Sequence, residues 1–112
     1  MTHDRIERRS LELHRAIVVK LREHPERTGI ARENLDRWSN TQGRSQPYLD
    51  AWREILDLPF EEMLTMIVEN GPRMTNLRQS TPFAGVLEPR ERWRVYDTFE
   101  SGTHYPSSRN DR

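Results

Sequence analysis

Five of the seven prolines, at positions 25, 47, 59, 72 and 89, divide this chain into segments of no more than 24 residues. Proline lacks a backbone N–H and fixes φ, so each one ends a helix or opens the next. Within the segments apolar residues recur every three or four positions, and no run alternates with period two for long enough to make a strand. The pattern predicts an all-α fold, a compact bundle of five or six short helices.

The first helix carries the stripe Ile6, Leu13, Ile17 and Leu21, with Asp4 and Glu7 at capping-box spacing, and ends near His24 before Pro25. A second runs from Pro25 through Ala31, Leu35 and Trp38. After the loop SNTQGRSQ, Pro47 opens a third, with Tyr48, Leu49, Trp52, Ile55 and Leu56 inward. Phe60, Met63, Leu64, Ile67 and Val68 mark a fourth, whose first turn places Glu61 and Glu62 where negative charge suits the helix dipole. Asn70-Gly71-Pro72 stops it. A short fifth helix covers residues 73–79, and a last one begins at Pro89 with Trp93, Tyr96 and Phe99 as its stripe. Residues 1–100 are expected to form a single helical domain. Residues 101–112, SGTHYPSSRNDR, lack periodicity and read as a disordered tail.

Only 33% of the residues are apolar and mean hydropathy is -0.99, which implies a small core under a charged surface. Net charge is zero, but the acidic excess is concentrated in residues 38–70. Overall neutrality speaks mildly against a dedicated nucleic-acid binder, which usually shows a basic excess. All basic residues except Lys20 are Arg, the side chain suited to planar, bidentate contacts. With no Cys, disulfides and thiolate metal sites are excluded. The charged opening MTHDRIERRS and the lack of a long apolar run predict a cytoplasmic protein with no membrane association.

Catalytic chemistry finds little to use. The four His residues fall at no metal-ligand spacing, and His14, beside the stripe of the first helix, reads as a helix-surface histidine. Glu61 and Glu62 are adjacent on a helix and point about 100° apart, which does not make an acid-base pair. No catalytic residue, metal or cofactor is expected, and the chain reads as a non-enzymatic binding protein.

Two binding surfaces compete. Thr81-Pro82-Phe83-Ala84-Gly85-Val86-Leu87 is an apolar connection, whereas connections are ordinarily polar. Phe83, Val86 and Leu87 therefore form either a plug under the bundle or an exposed patch awaiting a partner. As a patch they would be the anchor of a protein interface, with the acidic residues Asp57, Glu61 and Glu62 supplying steering. The alternative is a small DNA-binding regulator that contacts operator phosphates through Arg73, Arg78, Arg90 and Arg94. Glu91 and Asp97 interrupt that set. Trp38, Trp52 and Trp93, each on a periodic stripe, are expected in the core.

Leu77-Arg78-Gln79-Ser80-Thr81-Pro82-Phe83-Ala84-Gly85-Val86-Leu87, followed by Pro89-x-Glu91-Arg92-Trp93, resembles the LRxSSPFAGVLxPxERW ending of a group of short bacterial proteins. Leu13-His14-Arg15 and Asn34-Leu35-x-Arg37-Trp38 are similar to further parts of the same pattern, so the likeness spans about residues 10–99. Such proteins resemble the small helical antitoxin components of toxin-antitoxin operons. The resemblance implies a cytoplasmic bacterial protein that neutralises a cognate toxin, itself acting on RNA or nucleotides. Glu88 stands where the pattern more usually has a Ser or Thr cap, and residues 101–112 have no counterpart in it.

Overall fold

In the computed structural model residues 2–40 and 45–103 are described, with side chains over 5–40 and 45–99. The first helix, α1, runs Thr2–Glu23, a length of about 33 Å at 1.5 Å per residue. It stops where His24, preceding Pro25, takes φ -137° and ψ 72°. A 3-10 turn, Pro25–Arg27, leads into α2, Thr28–Ser39. Then follow α3, Gln46–Leu56, α4, Phe60–Ile67, and α5, Pro72–Leu77. A second 3-10 turn, Arg78–Ser80, opens the apolar connection, and α6, Pro89–Thr103, closes the fold. The architecture is all-α, with six α-helices and no strand among the described residues.

The helical spacing read from the sequence holds for most of the core. Ile17 and Leu21 of α1, Ala31 and Leu35 of α2, and Leu49, Trp52, Ile55 and Leu56 of α3 are buried. Met63, Leu64 and Ile67 of α4 and Met74 and Leu77 of α5 complete the helical part. Into this cluster the connection inserts Phe83, Val86 and Leu87, at 1%, 0% and 5% exposure. Of the two readings of that segment, the plug is correct. Phe83 lies edge-on to Trp52, with ring centroids 5.8 Å apart, and edge-on to His14 at 6.2 Å. The Trp52 indole N–H donates to Leu77 O at 3.2 Å, so its one polar atom is satisfied inside the core.

Several local expectations are corrected. Asp4 lies within α1 and does not cap it. Tyr48 is 39% exposed, because its hydroxyl accepts a hydrogen bond from Asn76 Nδ2 at 3.1 Å at the surface. Residues 101–103, expected in the tail, belong to α6. The remainder of the expected tail, 104–112, and residues 41–44 of the α2–α3 loop lie outside the described residues.

No side chain of α6 described in the structure enters the core. The helix lies antiparallel along α1, with Arg5 over Phe99 at 5.5 Å, Arg9 over Tyr96 at 5.0 Å and Lys20 paired with Glu91 at 2.5 Å. Its start is fixed by half a capping box, the Glu88 N–H donating to Glu91 Oε1 at 2.8 Å. The molecule is therefore a five-helix core with its plug, and an outer helix laid on α1.

Phe83→Ala removes the ring that joins Trp52 and His14, and should cost about 3–5 kcal/mol in urea unfolding. Gly85 has φ +94°, and a Cβ there would meet only Ile30 Cγ2, at an ordinary 3.6 Å. Gly85→Ala should thus cost about 1–2 kcal/mol through backbone strain alone.

Candidate functional site

Asn34, Arg27, His14 and Thr81 converge on one buried polar knot around the connection. Irregular backbone can be buried only if its N–H and C=O groups find partners. Asn34, 6% exposed on α2, donates both amide hydrogens, to Pro82 O at 2.7 Å and Ala84 O at 3.0 Å, and its Oδ1 accepts from Arg37 Nη2. Arg27 donates Nε to Val86 O at 2.9 Å and Nη2 to Gly85 O at 3.3 Å. Val86 N–H closes a turn onto Phe83 O at 3.1 Å. Four carbonyls of the plug are thereby held by two side chains next to or on α2.

On the other side stands His14, fully buried, where a surface histidine was expected. Ser10 O, 2.7 Å from Nδ1, can only accept, so Nδ1 carries the proton. In the neutral ring that burial favours, Nε2 is an acceptor, and the Thr81 hydroxyl donates to it at 2.8 Å while itself accepting from Phe83 N–H at 3.2 Å. Burial pushes the His14 pKa down from 6.5 to about 4, with the Ser10 carbonyl opposing and the Arg78 charge adding to the depression.

Arg78 is 2% exposed and cannot contact operator phosphate in this fold. Its Nη1 donates to Ile67 O at 3.1 Å and Glu69 O at 2.8 Å, satisfying carbonyls freed at the C-terminus of α4. Phe83, Val86 and Leu87 are likewise enclosed, so the anchor expected of them at a protein interface does not exist as a surface. Both corrections share a cause. The plug needs apolar side chains to fill the space and an Arg to close the α4–α5 turn beneath it.

The other nominated residues remain at the surface. Arg73 on α5 and Arg90 and Arg94 on α6 are exposed, on two different helices. Among the acids, Glu61 takes Arg22 Nη1 on both oxygens at 2.8 Å, and Asp57 pairs with Arg32 at 3.1 Å. Exposed Glu62 has no ion pair among the described residues. The acidic segment is thus partly neutralised by α1 and α2.

What the surface offers instead is the α1–α6 layer. Trp93, expected in the core, is 71% exposed and touches Tyr96 edge-on, with centroids 6.5 Å apart. On the opposite flank of α6 a groove of about 950 Å³ opens against α1, its apolar lining including Leu11, Ala16, Val19, Leu87 and Val95. The signal for it was available in α1. Val19 stands about 160° around the helix from Leu21, too far to share the core face. The Lys20 ammonium on the groove wall, with the Glu88 N–H, holds the Glu91 carboxyl below the usual carboxylate range.

Among the described residues no group of three or more His, Cys, Asp or Glu side chains could hold a metal ion, and no helix is long and apolar enough to cross a membrane.

Because the fold holds His14 neutral, its contribution to stability is complete above pH 6.5 and is lost as pH falls from about 6.5 toward 4. The gap between those two pKa values corresponds to roughly 3 kcal/mol. The difference in urea stability between wild type and His14→Gln, measured at pH 7 and pH 4, should shrink by about that amount at the lower pH. No family model, curated protein or solved structure matches the chain.

Proposed function

We propose that the chain is a non-enzymatic protein-binding module of the antitoxin kind, neutralising a toxin by direct contact through the face of α6 centred on Trp93. The observation that carries this reading is a tryptophan left 71% exposed on a helix that contributes no described residue to the core. A tryptophan offers 150–250 Å² for burial, so at about 25 cal/mol/Å² its exposed part holds roughly 3 kcal/mol of unrealised stabilisation. Arg90 and Asp97, three residues before and four after, share its helix face. Tryptophan and arginine are the residues most enriched at the energetic centres of interfaces.

The sequence likeness supports the antitoxin part of the reading, since its pattern ends on this same Glu91-Arg92-Trp93. With Phe83, Val86 and Leu87 enclosed, the exposed Trp93 on α6 supports the anchor proposed here. Exposed acids such as Glu62 and Glu54 remain available to steer a basic partner, the charge expected of a toxin that handles RNA or nucleotides.

The test is co-expression with the product of the adjacent gene, followed by co-purification and growth measurement. A stable complex and rescue of growth are expected. Trp93→Ala should weaken the complex at least tenfold while changing the stability of the isolated chain by less than about 0.5 kcal/mol. A complex indifferent to that substitution would remove the proposed face, and absence of any complex would remove the antitoxin reading.

A further inference from the structure

We propose that Asn70-Gly71 is a self-modifying site, at which the Glu69 carboxylate acts as the base that lets Asn70 convert to aspartate or isoaspartate. The Gly71 amide gives its proton to Glu69, and its nitrogen attacks Asn70 Cγ. The new N–Cγ bond closes a five-membered succinimide as the Cγ–Nδ2 bond breaks, and the leaving nitrogen takes up the proton and departs as ammonia. Water then opens the ring at either carbonyl. The net change is one water consumed and one ammonia released. This inference uses neither Trp93 nor a partner, and stands apart from the toxin-binding reading.

The turn between α4 and α5 places the reacting groups. Gly71 N–H donates to Glu69 Oε1 at 2.9 Å, within the reach required of a base in proton transfer. Gly71 O accepts from Thr75 N at 3.0 Å and from Thr75 Oγ1 at 2.9 Å, and Pro72 keeps Gly71 in extended backbone, at φ -78° and ψ 168°. On the other side Glu69 O accepts from Arg78 Nη1 at 2.8 Å. Both neighbours of Asn70 are therefore pinned. Asn70 itself is exposed, lies outside α4 and α5, and has no hydrogen bond among the described residues. Its carboxamide is free to turn toward a nucleophile whose proton already points at a carboxylate, an arrangement in which proximity replaces a chance encounter.

Glycine is a condition of this geometry. A Cβ at position 71 would stand 2.9 Å from Glu69 Oε2 and 3.0 Å from Oε1, so a side chain there would displace the base from the N–H it serves. The chain's other described asparagines are held differently. Asn34 is buried with both amide hydrogens donated, Asn40 donates to Asp36 O, and Asn76 lies within α5 and donates to the Tyr48 hydroxyl.

The product changes the molecule in two ways. Asn70 lines the groove between α1 and α6 together with Lys20 and Glu91, so a carboxylate there adds negative charge to the groove that holds their ion pair. Isoaspartate also inserts a methylene into the backbone between Glu69 O and Gly71 O, two groups that Arg78 and Thr75 hold in place. The modified chain is therefore less stable, and the change is one-way.

Incubation of the full chain at neutral pH and about 37 °C, followed by peptide mapping and enzymatic methylation of isoaspartate, tests this. Asn70 should convert at least tenfold faster than Asn34, Asn40 or Asn76, and at least fivefold faster in the folded chain than in guanidinium chloride, because only the fold holds the base in place. Glu69→Gln should slow conversion in the folded chain at least fivefold and change the rate in denaturant by less than about twofold. Gly71→Ala should abolish conversion, and the urea midpoint of each variant shows that folded chains are being compared. Folded chain in which Asn70 persists, or converts no faster than in denaturant, overturns the proposal. A Glu69→Gln chain that keeps the wild-type rate does the same.

Discussion

An irregular stretch of backbone in a protein interior is stable only when other groups take over the hydrogen bonds that water would have made. Here that condition falls on the segment from Thr81 to Leu87, and Asn34, Arg27, Thr81 and His14 meet it. Leaving one buried polar group unpaired costs about 1–3 kcal/mol, a large fraction of the stability of a chain this size. The plug and its clamps are therefore one unit. Phe83 is in the core only because its neighbours' carbonyls are held from α2.

The groups that serve the plug are spread along the chain and yet structurally local. His14, Asn34 and the 81–87 stretch lie far apart in the sequence, but the fold brings His14 to Thr81 and Asn34 to the carbonyls of Pro82 and Ala84. These side chains are accounted for by making the plug. Trp93 contrasts with them, a large apolar side chain that the core does not use.

Helix positions and the core of α2 to α5 were legible in the sequence because each stripe buries against neighbours that leave one wet face. Leu49, Trp52, Ile55 and Leu56 follow from spacing alone. His14 did not. It stands three residues before Ile17 and seven before Leu21, which places it on the core face, but its hydroxyl partner Thr81 is 67 residues away, and no local pattern reveals such a donor. Trp93 failed for the opposite reason. Periodicity identifies a stripe without saying how wide a neighbour covers it, and α6 has one helix beside it, enough to half-bury Tyr96 and Phe99 and leave Trp93 outside.

The way α6 is held also bears on what it can do. Its attachments to α1 include one ion pair and two cation–π contacts, each worth about 1 kcal/mol or less at a surface. The core, with sixteen buried apolar residues, is fixed far more firmly. The two parts meet at Leu87, the last residue of the plug, which is buried in the core and also lines the α1–α6 groove. From there Pro89 sets the backbone for the first turn and Glu91 ties it to both Glu88 and Lys20. The direction in which α6 leaves the core is thus set by a well-buried residue. A substitution inside the knot can therefore reach α6 by two routes, through Leu87 or through His14 and α1, whereas a change at Trp93 alters the outer surface directly.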